Sequence, residues 1–392
     1  MTQDMPTSTT LPLSAALNVA DSLRQQQSWY VDWQEKDHLL EQIILDADET
    51  TTVGQQRGLQ ATSERVRTRL EILREPLEIA PQVLDEWGYQ AVREHLDRQF
   101  ARLDKAQRRT WLWNLLFIMT PDLRRLYDKV DRVRHYRNFG QQRNFLLGGP
   151  SGMGKTTCLD WFVLNHPPVV EAARNRVPVV KVNAPYSNKS AHRLLRQIVL
   201  QCGRTYLRGD KEGDLLDKII LYFQKCGVEV LVVDEIQHLR TEGMKRRLLE
   251  ISNENTGIPI ICASCHPTEF VRGDPEIAGR WNDYFGLKPY TGKRLEELLA
   301  FLELLLPFTQ PSFLAFRQVV QDGKTVDGPA HIIERCTDGI LRDIMLLVTE
   351  ASLQAIDAGD VALSGDRLRR AWLDVQESRV EDFLGLLKGG RS

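Results

Sequence analysis

Long apolar runs are missing from this sequence: nothing in its 392 residues approaches the ~18 uncharged apolar positions that a membrane span requires. The start, Met1 to Thr10, has neither the basic opening nor the apolar centre of a secretory signal. These two absences predict a cytoplasmic protein with no membrane partner. Charge of one sign is also lacking, with 51 Lys+Arg against 53 Asp+Glu. Cysteine is sparse, at positions 158, 202, 226, 262, 265 and 336. Only Cys262 and Cys265 stand at a C-x-x-C interval, and no second pair completes a zinc site. That interval falls in Ile260-Ile261-Cys262-Ala263-Ser264-Cys265, which reads as a buried strand end, so small buried residues are expected there in place of metal or redox chemistry. No internal repeat or low-complexity tract is visible.

What is present fits an ordinary globular chain of two or three domains, 42% hydrophobic and 27% charged. The near-neutral total hides local asymmetry. Residues 1–50 hold nine Asp/Glu and two Lys/Arg, whereas residues 101–143 hold eleven Lys/Arg and four Asp/Glu. Tyr186 to Lys211 carries six Lys/Arg against Asp210 alone. Each basic segment suits either a surface that attracts phosphates or a solvated helix face.

The expected fold class is α/β, with helical extensions on both sides. Over residues 1–110, apolar positions such as Leu39, Leu40, Ile43 and Ile44, then Val66, Leu70 and Leu73, recur at helical intervals, predicting an appended helical module. Its acidic surface and its Trp29, Tyr30 and Trp33 suit docking to a basic partner or, equally, a bundle core. Over 111–288, four short apolar runs alternate with helical stretches: Phe145 to Gly148, Val179 to Val182, Val228 to Val233 and Ile258 to Ala263. That alternation predicts a parallel sheet flanked by helices. Over 289–392 the strands are expected to stop, and Leu295, Leu298, Leu299, Leu302 and Leu305 open a helical lid with further helices near 340–356 and 366–376.

Chemistry enters with Gly149-Pro150-Ser151-Gly152-Met153-Gly154-Lys155-Thr156, which fits G-x-x-x-x-G-K-[ST] and lies between the first apolar run and a helical segment. Glycines let backbone amides turn around phosphates, Lys155 brings a point charge to the outer phosphates, and the Thr156 hydroxyl suits magnesium. The second element is Val230-Leu231-Val232-Val233-Asp234-Glu235, 79 positions from Lys155 to Asp234. A carboxylate pair closing an apolar strand suits a magnesium shell at Asp234 and a water-activating base at Glu235. Together the motifs predict ATP and Mg2+ as cofactors and ATP hydrolysis as the reaction.

With these motifs in this order, and with Thr157 following the loop, the chain resembles an AAA+ P-loop ATPase. More narrowly, Asp234-Glu235-Ile236-Gln237-His238-Leu239 together with Gly149 to Thr157 resembles the TnsC/TniB transposition regulators, over roughly residues 120–375. The resemblance implies three further catalytic positions. Ser264, ending the strand after the Asp-Glu strand, matches the γ-phosphate sensor, although the family more often has Asn or Thr there. Arg280, before Trp281, matches an arginine finger that reaches a neighbouring subunit's nucleotide, with Arg272 as the fallback. Arg342, in Gly339-Ile340-Leu341-Arg342, matches the lid's sensor arginine.

The resemblance also implies a homo-oligomer, ring or helical filament, that assembles on double-stranded DNA and links a target-selector protein to a transposase. Candidate DNA contacts follow the second strand: Lys189, His192, Arg193, Arg204, Arg208 and Lys211, with Arg193 and Arg196 equally suited to solvent and Tyr186 read as packing. Other readings of the motifs are a helicase loader or replication initiator, an ATP-binding signalling scaffold, and a small-molecule kinase on the same loop.

Overall fold

The computed structural model describes residues 97–389 apart from 99, 115–119, 136–143, 167, 171–174, 187–190, 240, 254–256 and 322–323. Most of the expected N-terminal module, including Trp29, Tyr30 and Trp33, lies outside the described residues. The chain divides into two compact units, whose described parts fall within 121–288 and within 97–120 with 289–389.

Helix α1 (Lys105–Asn114) belongs to the second of these. It opens on a reciprocal cap: the Asp104 carboxylate accepts from Gln107 N at 2.8 Å, and the Gln107 side chain accepts from Asp104 N at 2.9 Å. The sequence boundary at 110/111 falls within this helix, so α1 carries the chain across it.

The first unit begins with α2 (Pro121–Val133), which buries Leu123, Leu126, Val130 and Val133 at three- and four-residue spacing. There follow β1 (Phe145–Gly148), α3 (Lys155–Leu164) and a two-residue antiparallel ladder, Val169–Val170 with Asn175–Arg176. Next come β2 (Val179–Asn183), α4 (His192–Gln201), α5 (Glu212–Lys225) and β3 (Val230–Asp234). The unit closes with α6 (Glu242–Asn253), β4 (Ile260–Ser264), the short helices α7 (Pro267–Val271) and α8 (Pro275–Arg280), and β5 (Asp283–Gly286).

The five strands form one parallel sheet in the order β2-β3-β4-β1-β5. Strands β3 and β4 are buried at every residue, the signature of a sheet covered on both faces. The four apolar runs mark β1 to β4. Strand β5 was not among them because it is an edge strand with a half-exposed face, and an edge needs no continuous apolar run. Helix α4, at ten residues too short to persist alone, is held by Leu194, Leu195, Ile198 and Val199 packed into a core shared with Leu215, Ile219 and Phe223 of α5. Each such side chain contributes roughly 1.5–3 kcal/mol on burial.

Parallel register makes every strand point its carboxyl end to one edge. Asn183 lies opposite Asp234, and Gly148 opposite both Ser264 and Gly286. At the other end of β1, the fully buried Asn144 side chain accepts from Ile260 N at 2.9 Å and from Ser252 Oγ at 3.2 Å. Those bonds set the height of β1 against β4, and so the height at which the next loop leaves the sheet.

The second unit continues with α9 (Gly292–Leu305), β6 (Gln318–Gln321), β7 (Lys324–Asp327), α10 (Pro329–Thr337), α11 (Leu341–Ala358) and α12 (Gly365–Gly389). Helix α11 packs against α1 and α12, and Lys105 and Arg109 of α1 pair with Asp357 at 3.2 and 2.7 Å. The expectation that strands stop beyond residue 289 is corrected here: β6 and β7 form an antiparallel pair with Val319 opposite Val326. The signal was Asp322-Gly323 between two short runs with β-branched residues, a strong hairpin pair that the scarcity of apolar residues concealed. Among the described residues no helix is long and apolar enough to cross a membrane.

Candidate active site

The loop from Gly149 to Gly154 leaves β1 where the sheet order reverses, between β4 and β5, the usual place for a ligand crevice in an open parallel sheet. Gly149, Gly152 and Gly154 have φ of +139°, +82° and +87°, conformations that turn the backbone into a cradle and that L side chains resist. Met153 anchors the loop by burying its side chain, 1% exposed. Gly154 stands just before the first residue of α3, so the positive end of that helix faces the cradle.

Lys155 is buried to 8% exposure, and its Nζ donates to the carbonyl oxygens of Gly149 at 2.7 Å and Pro150 at 2.9 Å. Burial pulls its ammonium below the ordinary lysine value, while Cys265, Glu235 and Asp234 oppose that shift. Those three residues come from the ends of β4 and β3, so residues distant in sequence converge on the loop lysine.

Asp234 ends β3 and is 2% exposed. Its Oδ1 accepts from Glu235 N at 2.8 Å, while its Oδ2 is buried, makes no hydrogen bond, and lies 3.8 Å from Lys181 Nζ. A buried carboxylate oxygen without a donor is costly unless a cation is meant for it. With the Thr156 hydroxyl at the start of α3, the oxygen donors present are of the hard type that magnesium takes. Lys181 is held on its other side by Asp160 of α3 at 2.5 Å. Neither Lys181 nor Asp160 was singled out by the sequence; the available signal was one cation inside an otherwise apolar strand.

Glu235 follows with φ +58° and ψ +37°, a left-handed conformation that is uncommon outside glycine and that concentrates at functional sites. The turn sends its side chain away from the alternation of β3. Its Oε2 accepts from Gln237 Nε2. Ser264, 1% exposed at the end of β4, donates to Gln237 Oε1 at 3.0 Å and accepts from His266 N at 2.9 Å. Gln237 was read only as part of a motif, and its link between Ser264 and Glu235 is visible only in three dimensions.

The remaining sequence candidates belong to other elements. Arg280 ends α8, and its carbonyl accepts from Asn144 N at 3.0 Å, which sets it at the amino end of β1, opposite the phosphate loop. The fallback, Arg272, is exposed after α7. Arg342 lies in the second unit, exposed at the second residue of α11, with Nε 3.2 Å from Asp343 Oδ1. Just before it, a side chain at Gly339 would meet the Tyr290 carbonyl oxygen at 2.3 Å, so the Gly-x-x-Arg run needs its glycine for packing.

Of the candidate DNA contacts, Lys189 lies outside the described residues. Arg193, Arg204, Arg208 and Lys211 are exposed on α4 and the loop that follows it. That loop is built: Asp210 accepts from Leu207 N at 2.8 Å and from Lys218 at 2.5 Å, and a His192 ring nitrogen lies 2.7 Å from the Asp210 carbonyl oxygen. His192 therefore fastens the loop. Arg196 lies over the Tyr206 ring and donates to the Arg208 carbonyl at 3.1 Å, and Arg204 lies over Tyr222. Tyr186 is not packed inside: it is 77% exposed, with its ring against His238 at 4.1 Å between centroids. Cys262 is fully buried, which drives its thiol pKa far up and makes it inert.

A parallel sheet whose phosphate loop leaves β1 between β4 and β5, with an Asp-Glu pair ending β3, is the AAA+ form of the P-loop NTPase fold. Residues 108–289 match the family described as Bacterial TniB protein. That match takes in just under half of the chain. Solved structures similar to the chain include the Aeropyrum pernix ORC2 protein in ADPNP-ADP complexes, at 18% identity and TM-score 0.47 over 67% of this chain and 70% of that one. Others are the Aeropyrum pernix ORC1 protein in complex with DNA, at 18% and 0.46 over 70% and 71%, and the Thermotoga maritima RuvB Holliday junction branch migration motor, at 15% and 0.39 over 64% and 67%. No curated protein matches. The matched segment contains the whole five-stranded sheet, the phosphate loop, Asp234, Glu235 and Ser264.

Proposed function

We propose that this protein is a cytoplasmic AAA+ ATPase regulator of DNA transposition, assembling on duplex DNA and linking a target-selector protein to a transposase. The observation that carries the reading is that the loop bearing Lys155 and the strand end bearing Asp234 and Glu235 leave the same edge of the sheet, inside the segment that matches the TniB family. The Gly149 to Gly154 backbone binds the triphosphate, with Ser151, Met153 and Thr157 completing the loop and Pro150 stiffening it. Thr156 and Asp234 would hold magnesium, which supplies charge neutralisation across the outer phosphates.

Glu235 orients the attacking water and takes its proton, and the loop amides and Lys155 carry the charge that develops on the phosphoryl oxygens. Ser264 senses the terminal phosphate, Arg342 senses it from the lid, and Arg280 serves the nucleotide of a neighbouring subunit. The location of Arg280 at the amino end of β1 supports that last role, since within its own chain it is not at the loop. Hydrolysis is then completed by assembly, and a homo-oligomer, as ring or filament, is the working form. Arg193, Arg204, Arg208 and Lys211 supply sequence-independent phosphate contacts on DNA.

The test is calorimetry with Mg-ATP, followed by DNA binding and phosphate release. Lys155→Ala loses ATP uptake and ATP-dependent DNA binding. Glu235→Gln keeps ATP, lowers turnover by about 10²–10⁴ and lengthens assemblies on DNA. DNA binding that stays ATP-dependent in Lys155→Ala would contradict the reading.

A further inference from the structure

Three polar side chains beside the phosphate loop, Glu235, Gln237 and Ser264, are joined in one chain of hydrogen bonds. Gln237 uses both ends of its carboxamide: Nε2 donates to Glu235 Oε2, and Oε1 accepts from Ser264 Oγ at 3.0 Å. A serine hydroxyl has one proton to give. The Ser264 oxygen already accepts from His266 N at 2.9 Å, and its proton is committed to Gln237. Ser264 is 1% exposed, so bulk water does not offer that proton an easy alternative. Any new acceptor at the end of β4 must take the proton from Gln237.

We propose that Gln237 and the terminal phosphate of a nucleoside triphosphate compete for the Ser264 proton, so that arrival of that phosphate loosens the hold of Gln237 on Glu235. The inference rests on the nucleotide reading of this site given above. With a diphosphate the chain stays closed and Glu235 stays tied by one carboxylate oxygen. With a triphosphate, Ser264 turns to the phosphate oxygen, Gln237 Oε1 loses its donor, and the amide becomes free to rotate. Glu235 already stands in a left-handed conformation, with its backbone N–H fixed to Asp234 Oδ1. Side-chain rotation alone then re-aims its carboxylate. Gln237 is thus a positioning residue that reports nucleotide state to the base.

The experiment compares affinities of the full chain for the slowly hydrolysed analogue ATPγS and for ADP, by displacement of a fluorescent nucleotide. Gln237→Leu frees the Ser264 proton, so ATPγS binds about two- to tenfold more tightly, the worth of one net hydrogen bond. ADP affinity stays the same and serves as the check on folding. Gln237→Asn, too short to span both partners, moves the ratio in the same direction and stands in should the leucine variant lose ADP binding. In a Ser264→Ala background, Gln237→Leu leaves the ATPγS-to-ADP ratio where it was. A ratio that does not rise in either Gln237 variant, or that rises equally without Ser264, overturns the inference while wild-type nucleotide binding stands. Wild-type protein that takes up neither nucleotide overturns the reading beneath it as well.

Discussion

Gly149 has no space for a side chain: an added Cβ would lie 2.6 Å from the Leu287 carbonyl oxygen, and φ there is +139°. Gly149→Ala therefore combines a backbone clash with a disfavoured conformation, worth roughly 1–3 kcal/mol of stability for the conformation alone. Denaturant melts should show that loss, and calorimetry should show triphosphate uptake lost with it; a variant that binds ATP like the wild type would mean the loop tolerates a wider turn. Residues of this kind were legible in the sequence because their geometry is local: glycine spacing, the loop lysine and the carboxylates closing an apolar strand are neighbours along the chain. The Ser264–Gln237 bond spans 27 positions and two strand ends, so only the register of β3 and β4 reveals it. Lys181 was passed over for a similar reason. A lone cation in an apolar strand reads as noise until Asp160 and Asp234 are found on either side of it.

Elements were legible where burial was complete. Strands β3 and β4 are buried throughout and apolar up to their last residues, Asp234 and Ser264, and stood out, whereas β5 and β7 bury no residue fully and did not. Neither periodicity nor composition marks a strand that earns its place by backbone pairing alone. Between elements, Asn144 acts as a strap. Replacing it with alanine strands the Ile260 N–H inside the protein and should cost about 1–3 kcal/mol, read as a shift in the denaturation midpoint at unchanged slope. If Asn144→Ala melts like the wild type, the register of β1 against β4 is set by apolar packing alone.

For the whole molecule, each compact unit carries a carboxylate held below the usual range. In the sheet unit, the hydrogen bond from His166 holds Asp131 down, with Arg134 adding to it; in the helical unit, Arg317 does the same for Glu334. A depressed carboxylate contributes stability above its unfolded value, near 4, and loses that contribution as the pH falls through the folded one. Asp131→Asn and Glu334→Gln should each lower stability at pH 7 by about 1 kcal/mol and flatten its decline below pH ~5. Thermal melts of the two variants across pH 3–7 check this, and parallel acid limbs in wild type and variants would assign the decline to other groups. Charge also governs the proposed DNA contact: with a net charge of -2, attraction must come from the local basic surface. Arg204→Ala and Arg208→Ala should each reduce the slope of log affinity against log salt for duplex DNA by about one. An unchanged slope would remove that loop from the interface.

Lys155 already has both of its loop carbonyls as partners. Uptake of a phosphate group there is consequently a substitution, in which two amide-oxygen bonds dissolve as others form. Enthalpy largely cancels in such an exchange, and the remaining advantage of the newcomer is its anionic character. Discrimination among ligands at this lysine follows formal charge more closely than shape, a bias that ionic strength can tune.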